Sequence, residues 1–221
     1  MGLRSREAAR EIVRCCRSLW EVGLIAGTDG NVSVRLGPER LLVTPRGIVK
    51  SELRVEDLVE VNLAGRRSRG YREATTELDL HLRVYRLRED CGAVVHAHPP
   101  TATGFAVTGE GLPGDVLPEI ALLMGEVPCV PYATAGTPGL GDAVEPFLGR
   151  HVALLLANHG ALTWGRDLAQ ARIRMESLEH GARILLAARA LGGVKHLTRD
   201  QIDVLERMRG TSSHGENDHG Y

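Results

Sequence analysis

His96 and His98 stand two residues apart at the end of an apolar run, AVVHAHPP, over residues 93–100. In an extended chain, residues at that spacing face the same side, about 7 Å apart. Two imidazoles so placed can lean onto one ion, each nitrogen roughly 2.0–2.1 Å from it. Pro99 and Pro100 lack the N–H that a ladder needs, so the strand ends there and the pair sits at a strand end, where loops form clefts. Taken alone, the pair also fits two satisfied polar residues on a half-buried face. His159 interrupts a second apolar stretch, LLLANHGALTW. An imidazole buried without a partner is costly, so this one calls for a hydrogen bond or a ligand. Glu77, in ATTELDLH, follows two hydroxyl residues where a helix begins. Three imidazoles and one carboxylate suit Zn²⁺ or another divalent ion. The other histidines (His81, His151, His180, His196, His214 and His219) fall on helix faces, loops or the tail and read as surface or ordinary structural residues.

A second constellation is softer. GTDGN and TPRG are turn-rich stretches at strand ends, and TTE opens a helix. Turn amides, two hydroxyls and a helix N-terminus together suit a phosphate. Separately, GTDGN is an ordinary turn before a strand.

The elements that must position these residues follow from periodicity. Residues 5–23 read as an amphipathic helix, with Ile12, Val13, Cys16, Leu19 and Trp20 at helical spacing, Glu7 in the first turn and Gly23 at the stop. Val32, Val34 and Leu36 alternate as a strand that GPE turns into RLLVTP, a hairpin, and LVEVNL is a third strand. TTELDLHLRVYRLR reads as a helix with a threonine at its start, and CGAVVHAHPP and EVPCVPYA as strands. HVALLLANHGALTWG holds two apolar runs around NHG. Asp167 with Gln170 opens a long helix to about Leu191, ended by Gly192 and Gly193, and Thr198 with Gln201 opens a last short helix. No repeat or internal linker divides residues 5–208. The expectation is one α/β domain over 1–208, a largely antiparallel sheet covered by helices, and a polar, disordered tail over 209–221.

Bulk properties exclude several classes. The chain has 221 residues, 43% hydrophobic and 25% charged, with a net charge of −1. That is ordinary globular composition, long enough for a substantial core, with no field of one sign to attract nucleic acid or an anionic membrane. GRRSRGYR is short and reads as a solvated loop. The four cysteines, Cys15, Cys16, Cys91 and Cys129, form neither a disulfide framework nor a zinc-finger spacing, which fits a reducing cytoplasm. The opening MGLRSREAAR lacks the apolar core of a secretory signal, and no run is long enough to span a bilayer.

In order along the chain, GTDGNVSVR, TPRGI, TTELDLHLRVY, AVVHAHPP, VPCVPYATAGT and LLANHGALTWG together resemble the class II aldolase/adducin-head family, typified by L-fuculose-1-phosphate aldolase and L-ribulose-5-phosphate 4-epimerase. The likeness covers roughly residues 5–190. It implies a three-layer α/β/α domain around a mainly antiparallel sheet. It also implies a homotetramer with active sites at subunit interfaces, and one divalent metal, zinc or else Mn²⁺, Co²⁺ or Fe²⁺. By the same resemblance the metal histidines fall on His96, His98 and His159. The carboxylate that ligates the resting metal and can leave it for acid/base work falls on Glu77. The phosphate-binding residues fall on Thr28, Gly30, Asn31, Gly47, Thr75 and Thr76.

Two positions depart from the fucose-type pattern. Arg46 stands where that enzyme carries a small hydroxyl residue, and can reach a phosphate, a substrate carboxylate or solvent. No tyrosine lies between Gly104 and Pro131 to act as proton donor at the aldehyde oxygen, and Glu119 is the ionisable candidate there.

The expected activity is reversible cleavage of a ketose 1-phosphate to dihydroxyacetone phosphate and an aldehyde. A divalent cation stabilises the enediolate left when the carbon–carbon bond breaks. No Schiff-base lysine is needed, and the two lysines, Lys50 and Lys195, have no motif around them. A pentulose-5-phosphate 4-epimerase and a methylthioribulose-1-phosphate-type dehydratase are the alternatives on the same scaffold. A non-enzymatic adducin-head-like oligomerisation module is the alternative of a different class. It predicts eroded metal ligands, whereas all four positions are intact here.

Overall fold

The computed structural model describes residues 2–212. Its centre is an eight-stranded sheet in the order β4-β3-β2-β1-β5-β8-β7-β6. The strands are β1 (Asn31–Gly37), β2 (Arg40–Val43), β3 (Val59–Asn62), β4 (Arg67–Arg69), β5 (Ala93–Ala97), β6 (Cys129–Val130), β7 (Ala153–Leu156) and β8 (Gly160–Gly165). All neighbouring pairs are antiparallel except β6 with β7. The helices are α1 (Leu3–Glu21), α2 (Leu78–Leu87), α3 (Pro100–Thr108), α4 (Pro118–Leu123), α5 (Pro138–Val144), α6 (Leu168–Ala190) and α7 (Arg199–Ser212).

Side-chain alternation divides the core into two layers, one on each face of the sheet. Val32 and Leu36 of β1 and Val95 of β5 pack with Ile12, Cys16 and Leu19 of α1, Phe105 of α3 and Met175 and Leu178 of α6. On the opposite face, Val94 of β5 and Leu162 and Trp164 of β8 pack with Leu80, Val84 and Tyr85 of α2 and Leu140 and Val144 of α5. The result is the expected three-layer α/β/α arrangement. Among the described residues no helix is long and apolar enough to cross a membrane.

Several local expectations change. α1 starts at Leu3, so Glu7 lies beyond its first turn, and Trp20 is 45% exposed instead of joining the apolar face. GRRSRGYR contributes β4, an exposed, arginine-bearing edge strand, instead of a loop; charge on an edge discourages further pairing. EVPCVPYA joins the sheet only over Cys129–Val130, because Pro128 and Pro131 on either side have no N–H to donate, while Val127 makes an isolated antiparallel bridge to Leu112. Pro100 both follows the β5 strand end and occupies the first turn of α3, where its fixed φ and missing N–H cost nothing. α2 begins at Leu78 with Glu77 as its N-cap residue, not a threonine. The Thr75 hydroxyl accepts from the Glu77 N–H at 3.3 Å and holds the chain out of the helix one residue longer.

Asp167 caps α6 by accepting from Gln170 N at 2.8 Å, while the Gln170 side chain reaches Arg166 N instead of closing the reciprocal box. At Thr198 both halves of the box are present. The helix it opens is a 14-residue one that runs on to Ser212, past the expected domain limit at 208. The remainder of the expected tail, residues 213–221, with His214 and His219, lies outside the described residues.

Candidate active site

The site gathers at one end of the central strands. β5 ends in His96 and is followed by His98. Asn31, the first residue of β1, is the cross-strand partner of His96, so their side chains share a face. His159 comes from the tight β7–β8 hairpin, in which Asn158 takes a left-handed conformation (φ 55°), the one non-glycine to do so among the described residues. Asparagine tolerates that region better than most residues. Glu77 reaches in from the start of α2. Two glycines make room. Gly30 has φ +68°, and a Cβ there would lie 2.8 Å from the His96 carbonyl oxygen. A Cβ at Gly160 would lie 2.5 Å from the His98 ring.

His96, His98 and His159 each offer a ring nitrogen, and the three lie within 4.8 Å of one another. His96 Nδ1 donates to the Ala161 carbonyl at 2.9 Å, which leaves Nε2 with its lone pair facing the cluster. His96 Nε2 and His98 Nε2 face each other at 3.1 Å. On its other side His98 has Nδ1 3.5 Å from the Asp29 carboxylate. The Glu77 carboxylate spans the group, 3.2 Å from His96 Nε2 and 3.1 Å from His159 Nε2. Glu77 Oε1 and His159 Nδ1 are buried atoms without a hydrogen-bond partner. Converging lone pairs and an under-satisfied carboxylate oxygen are what a divalent cation requires, so the residues present fit such an ion.

The electrostatics agree. Burial alone would raise the Glu77 carboxyl, but the His96 and His159 imidazoles and the Asn31 amide beside it outweigh burial and hold it well below the usual carboxylate range. Burial, and then the neighbouring His96 and His159 rings, push the His98 imidazole down to about 4, so it stays neutral and able to ligate.

The expected phosphate residues also converge. Thr75 N donates to the Thr44 carbonyl and Arg46 N to the Glu73 carbonyl, which zips the TPRG turn to the TTE segment. The Gly47 turn is tied to the Gly27–Thr28 turn from below. Lys50 N donates to the Gly27 carbonyl, and its Nζ, in a side chain only 2% exposed, donates to the carbonyls of Thr28 (2.8 Å) and Ile48 (3.0 Å). Thr75 and Asn31 are buried, whereas Thr28, Gly47, Thr76 and Arg46 are exposed. Asn31 gives one amide N–H to Glu77 Oε2 at 2.7 Å. Glu119 stands apart: it is exposed, in the first turn of α4, and among the described residues it makes no hydrogen bond or ion pair.

Sequence reasoning did not single out two residues. His81, read there as a surface or ordinary structural histidine, is fully buried, and its Nε2 meets Asn31 Oδ1 at 2.5 Å. The signal was its place four residues after Glu77, one helical turn away on the same side. Lys50, which has no motif around it, is the buried tie between the two turns; its charge masked a burial that only tertiary structure reveals.

Known proteins share this architecture. The model for the class II aldolase and adducin N-terminal domain matches residues 10–186. A 5-deoxy-D-ribulose 1-phosphate aldolase from Bacillus thuringiensis serovar kurstaki is 36% identical over 89% of this chain and 92% of its own. A 3-oxo-tetronate 4-phosphate decarboxylase from Pectobacterium atrosepticum is 35% identical over 91% of this chain and 94% of its own. A solved structure of L-fuculose 1-phosphate aldolase superposes with a TM-score of 0.86 at 30% identity, covering 91% of this chain and 95% of that one. The chain belongs to the class II aldolase and adducin N-terminal domain family.

Proposed function

We propose that this protein is a metal-dependent aldolase that reversibly cleaves a ketose 1-phosphate to dihydroxyacetone phosphate and an aldehyde. The observation that carries the reading is the convergence of three imidazole nitrogens and Glu77 beside a pair of zipped turns. His96, His98 and His159 hold the ion, with Glu77 as the fourth ligand at rest, a donor set that suits Zn²⁺ and also Mn²⁺, Co²⁺ or Fe²⁺. Such an ion supplies Lewis-acid stabilisation of negative charge on the substrate's oxygens. Thr28, Gly30, Asn31, Gly47, Thr75 and Thr76 bind the phosphate and so fix the ketose with its reacting carbons toward the histidines. Glu77, displaced by substrate, returns a proton to the carbon left by cleavage. The protein is a homotetramer of the cytoplasm with active sites at subunit interfaces. Glu119, exposed on α4, takes the proton from the substrate hydroxyl in cleavage and returns it to the aldehyde oxygen in condensation, reaching the site across such an interface.

The decarboxylase among the relatives supports a second reading. Loss of CO₂ from a 3-oxo-tetronate 4-phosphate leaves a carbanion next to a carbonyl, the same enediolate that aldol cleavage leaves. Arg46, exposed beside Gly47, is the residue to pair with a substrate carboxylate. Product identification after incubating the metal-loaded protein with a panel of phosphorylated ketoses and 3-oxo acids decides. Dihydroxyacetone phosphate with an aldehyde supports the aldolase. Carbon dioxide, an epimer or a dehydrated ketone assigns the chain to the decarboxylase, 4-epimerase or dehydratase reaction instead.

The phosphate site has its own test. Each hydrogen bond to a charged group is worth roughly 1.5–3 kcal/mol, so losing one raises KM about tenfold or more. The Thr75→Val, Thr76→Val double variant should raise KM for a phosphorylated substrate while metal content stays unchanged. Equal activity of the wild type on phosphorylated and free sugars would remove the anchor.

For Glu119, the expected result is that Glu119→Gln slows carbon–carbon cleavage by roughly 10²–10⁴-fold. Hydrogen exchange on dihydroxyacetone phosphate, which does not involve the aldehyde, should largely survive. If both activities fall together, or neither falls, Glu119 is not the donor.

A further inference from the structure

We propose that Tyr85, Ser33 and His81 form a one-way hydrogen-bond chain that locks the Asn31 amide with its N–H₂ toward Glu77, making His81 a positioning residue for the proton-transferring carboxylate. The proposal rests on the reading of Glu77 given above.

The chain runs through four contacts. Tyr85 OH lies 2.9 Å from Ser33 Oγ, and Ser33 Oγ lies 2.6 Å from His81 Nδ1. His81 Nε2 lies 2.5 Å from Asn31 Oδ1, and Asn31 Nδ2 lies 2.7 Å from Glu77 Oε2. Its direction is imposed from one end. An ionised carboxylate only accepts, so Asn31 must donate through Nδ2 and present Oδ1 to His81. His81 Nε2 must then carry the proton. In a neutral ring that leaves Nδ1 as an acceptor, so Ser33 donates to it and Tyr85 donates to Ser33. Every link is satisfied in this one sense.

Burial, with a smaller contribution from His96, lowers the His81 imidazole to about 3, so the ring is neutral at physiological pH, as the direction requires. Burial likewise raises the Tyr85 hydroxyl well above its usual range, which keeps it a donor. The chain is also sealed. His81, Ser33 and Tyr85 are each at most 1% exposed, so water does not compete for these groups. β1 and α2 supply all five residues, and the two elements differ in what they offer: Asn31 and Ser33 are alternate residues on one face of β1, while Glu77, His81 and Tyr85 recur every four residues at the start and along one side of α2.

Without His81, the Asn31 amide loses the partner that distinguishes its oxygen from its nitrogen. A flipped amide would set an oxygen against the Glu77 carboxylate, repelling the group that must return to its resting place after each turnover. Outer partners of site ligands typically matter by about 10–100-fold, and a loss of that size in kcat is the expectation for His81→Phe.

The first test needs no activity. ¹⁵N NMR of the metal-free protein with labelled histidine should show His81, assigned by the signal missing from His81→Gln, as the neutral Nε2–H tautomer. An Nδ1–H tautomer, or an imidazolium at neutral pH, would overturn the proposal. The second test is a double-mutant cycle on the metal-loaded enzyme. His81→Phe should lower kcat about 10–100-fold with metal content kept, His81→Gln should recover part of the loss, and His81→Phe should cost nothing further in an Asn31→Ala background. Additive losses would mean that His81 serves folding and not Asn31. If the wild type turns over no phosphorylated ketose or 3-oxo acid, the aldolase-type reading fails, and the tautomer measurement still decides the chain.

Discussion

His96→Ala should fold, purify with little or no divalent metal and show no measurable turnover. His96 is the best-fixed of the three histidines: its ring is fully buried, and Nδ1 is committed to the Ala161 carbonyl, so Nε2 has no role besides ligation. Removing even an outer partner of a metal ligand costs about 10–100-fold in affinity, and removing a ligand costs more. His159→Ala should behave in the same way, because its ring nitrogen closes the group from the opposite hairpin. The check is metal analysis of both purified variants with circular dichroism to establish folding. If both retain about one ion per chain, the ion is held elsewhere and the assignment fails.

Glu77→Gln should keep the fold and most of the metal yet lose turnover by roughly 10²–10⁴-fold, the usual worth of a positioned acid/base group. The three histidines remain, so binding survives. The amide still accepts from Asn31 through its oxygen, but it cannot carry a proton back and forth. A near wild-type kcat would remove Glu77 from the chemistry. A full loss of metal would instead make it chiefly a ligand.

How much of this was legible in the sequence depends on whether a feature is local. The HxH pair, the prolines that end β5 and the NHG hairpin are written in adjacent residues, so their positions could be read directly. A largely antiparallel sheet covered by helices followed from alternation in the strands and from capped helices, such as the one that Asp167 opens, whereas the three-layer arrangement came from the family resemblance. The failures are tertiary. His81 sits in a helix with the pattern of any amphipathic segment, and nothing nearby says that Asn31 and Ser33, on β1, face it. Lys50 has no motif around it, and only the tertiary fold brings the two turns onto its ammonium group. Short elements that begin with proline, α3, α4 and α5, gave too little periodicity to be recognised, although proline in the first helical turn was the available sign. Glu119 shows the other limit, since its own segment does not say that α4 leaves it exposed and, among the described residues, without a hydrogen bond or ion pair.

The most direct test of the account is hydrogen exchange on dihydroxyacetone phosphate in deuterium oxide, followed by ¹H NMR. This compound is the common product of the aldol and decarboxylation readings, so exchange at its hydroxymethyl carbon reports the shared proton transfer without depending on which bond is broken. The metal-loaded wild type should exchange that hydrogen rapidly. Chelation, His96→Ala and Glu77→Gln should each abolish the exchange, and unphosphorylated dihydroxyacetone should exchange far more slowly. A protein that carries one ion per chain on the three histidines and yet leaves dihydroxyacetone phosphate unexchanged would contradict the account.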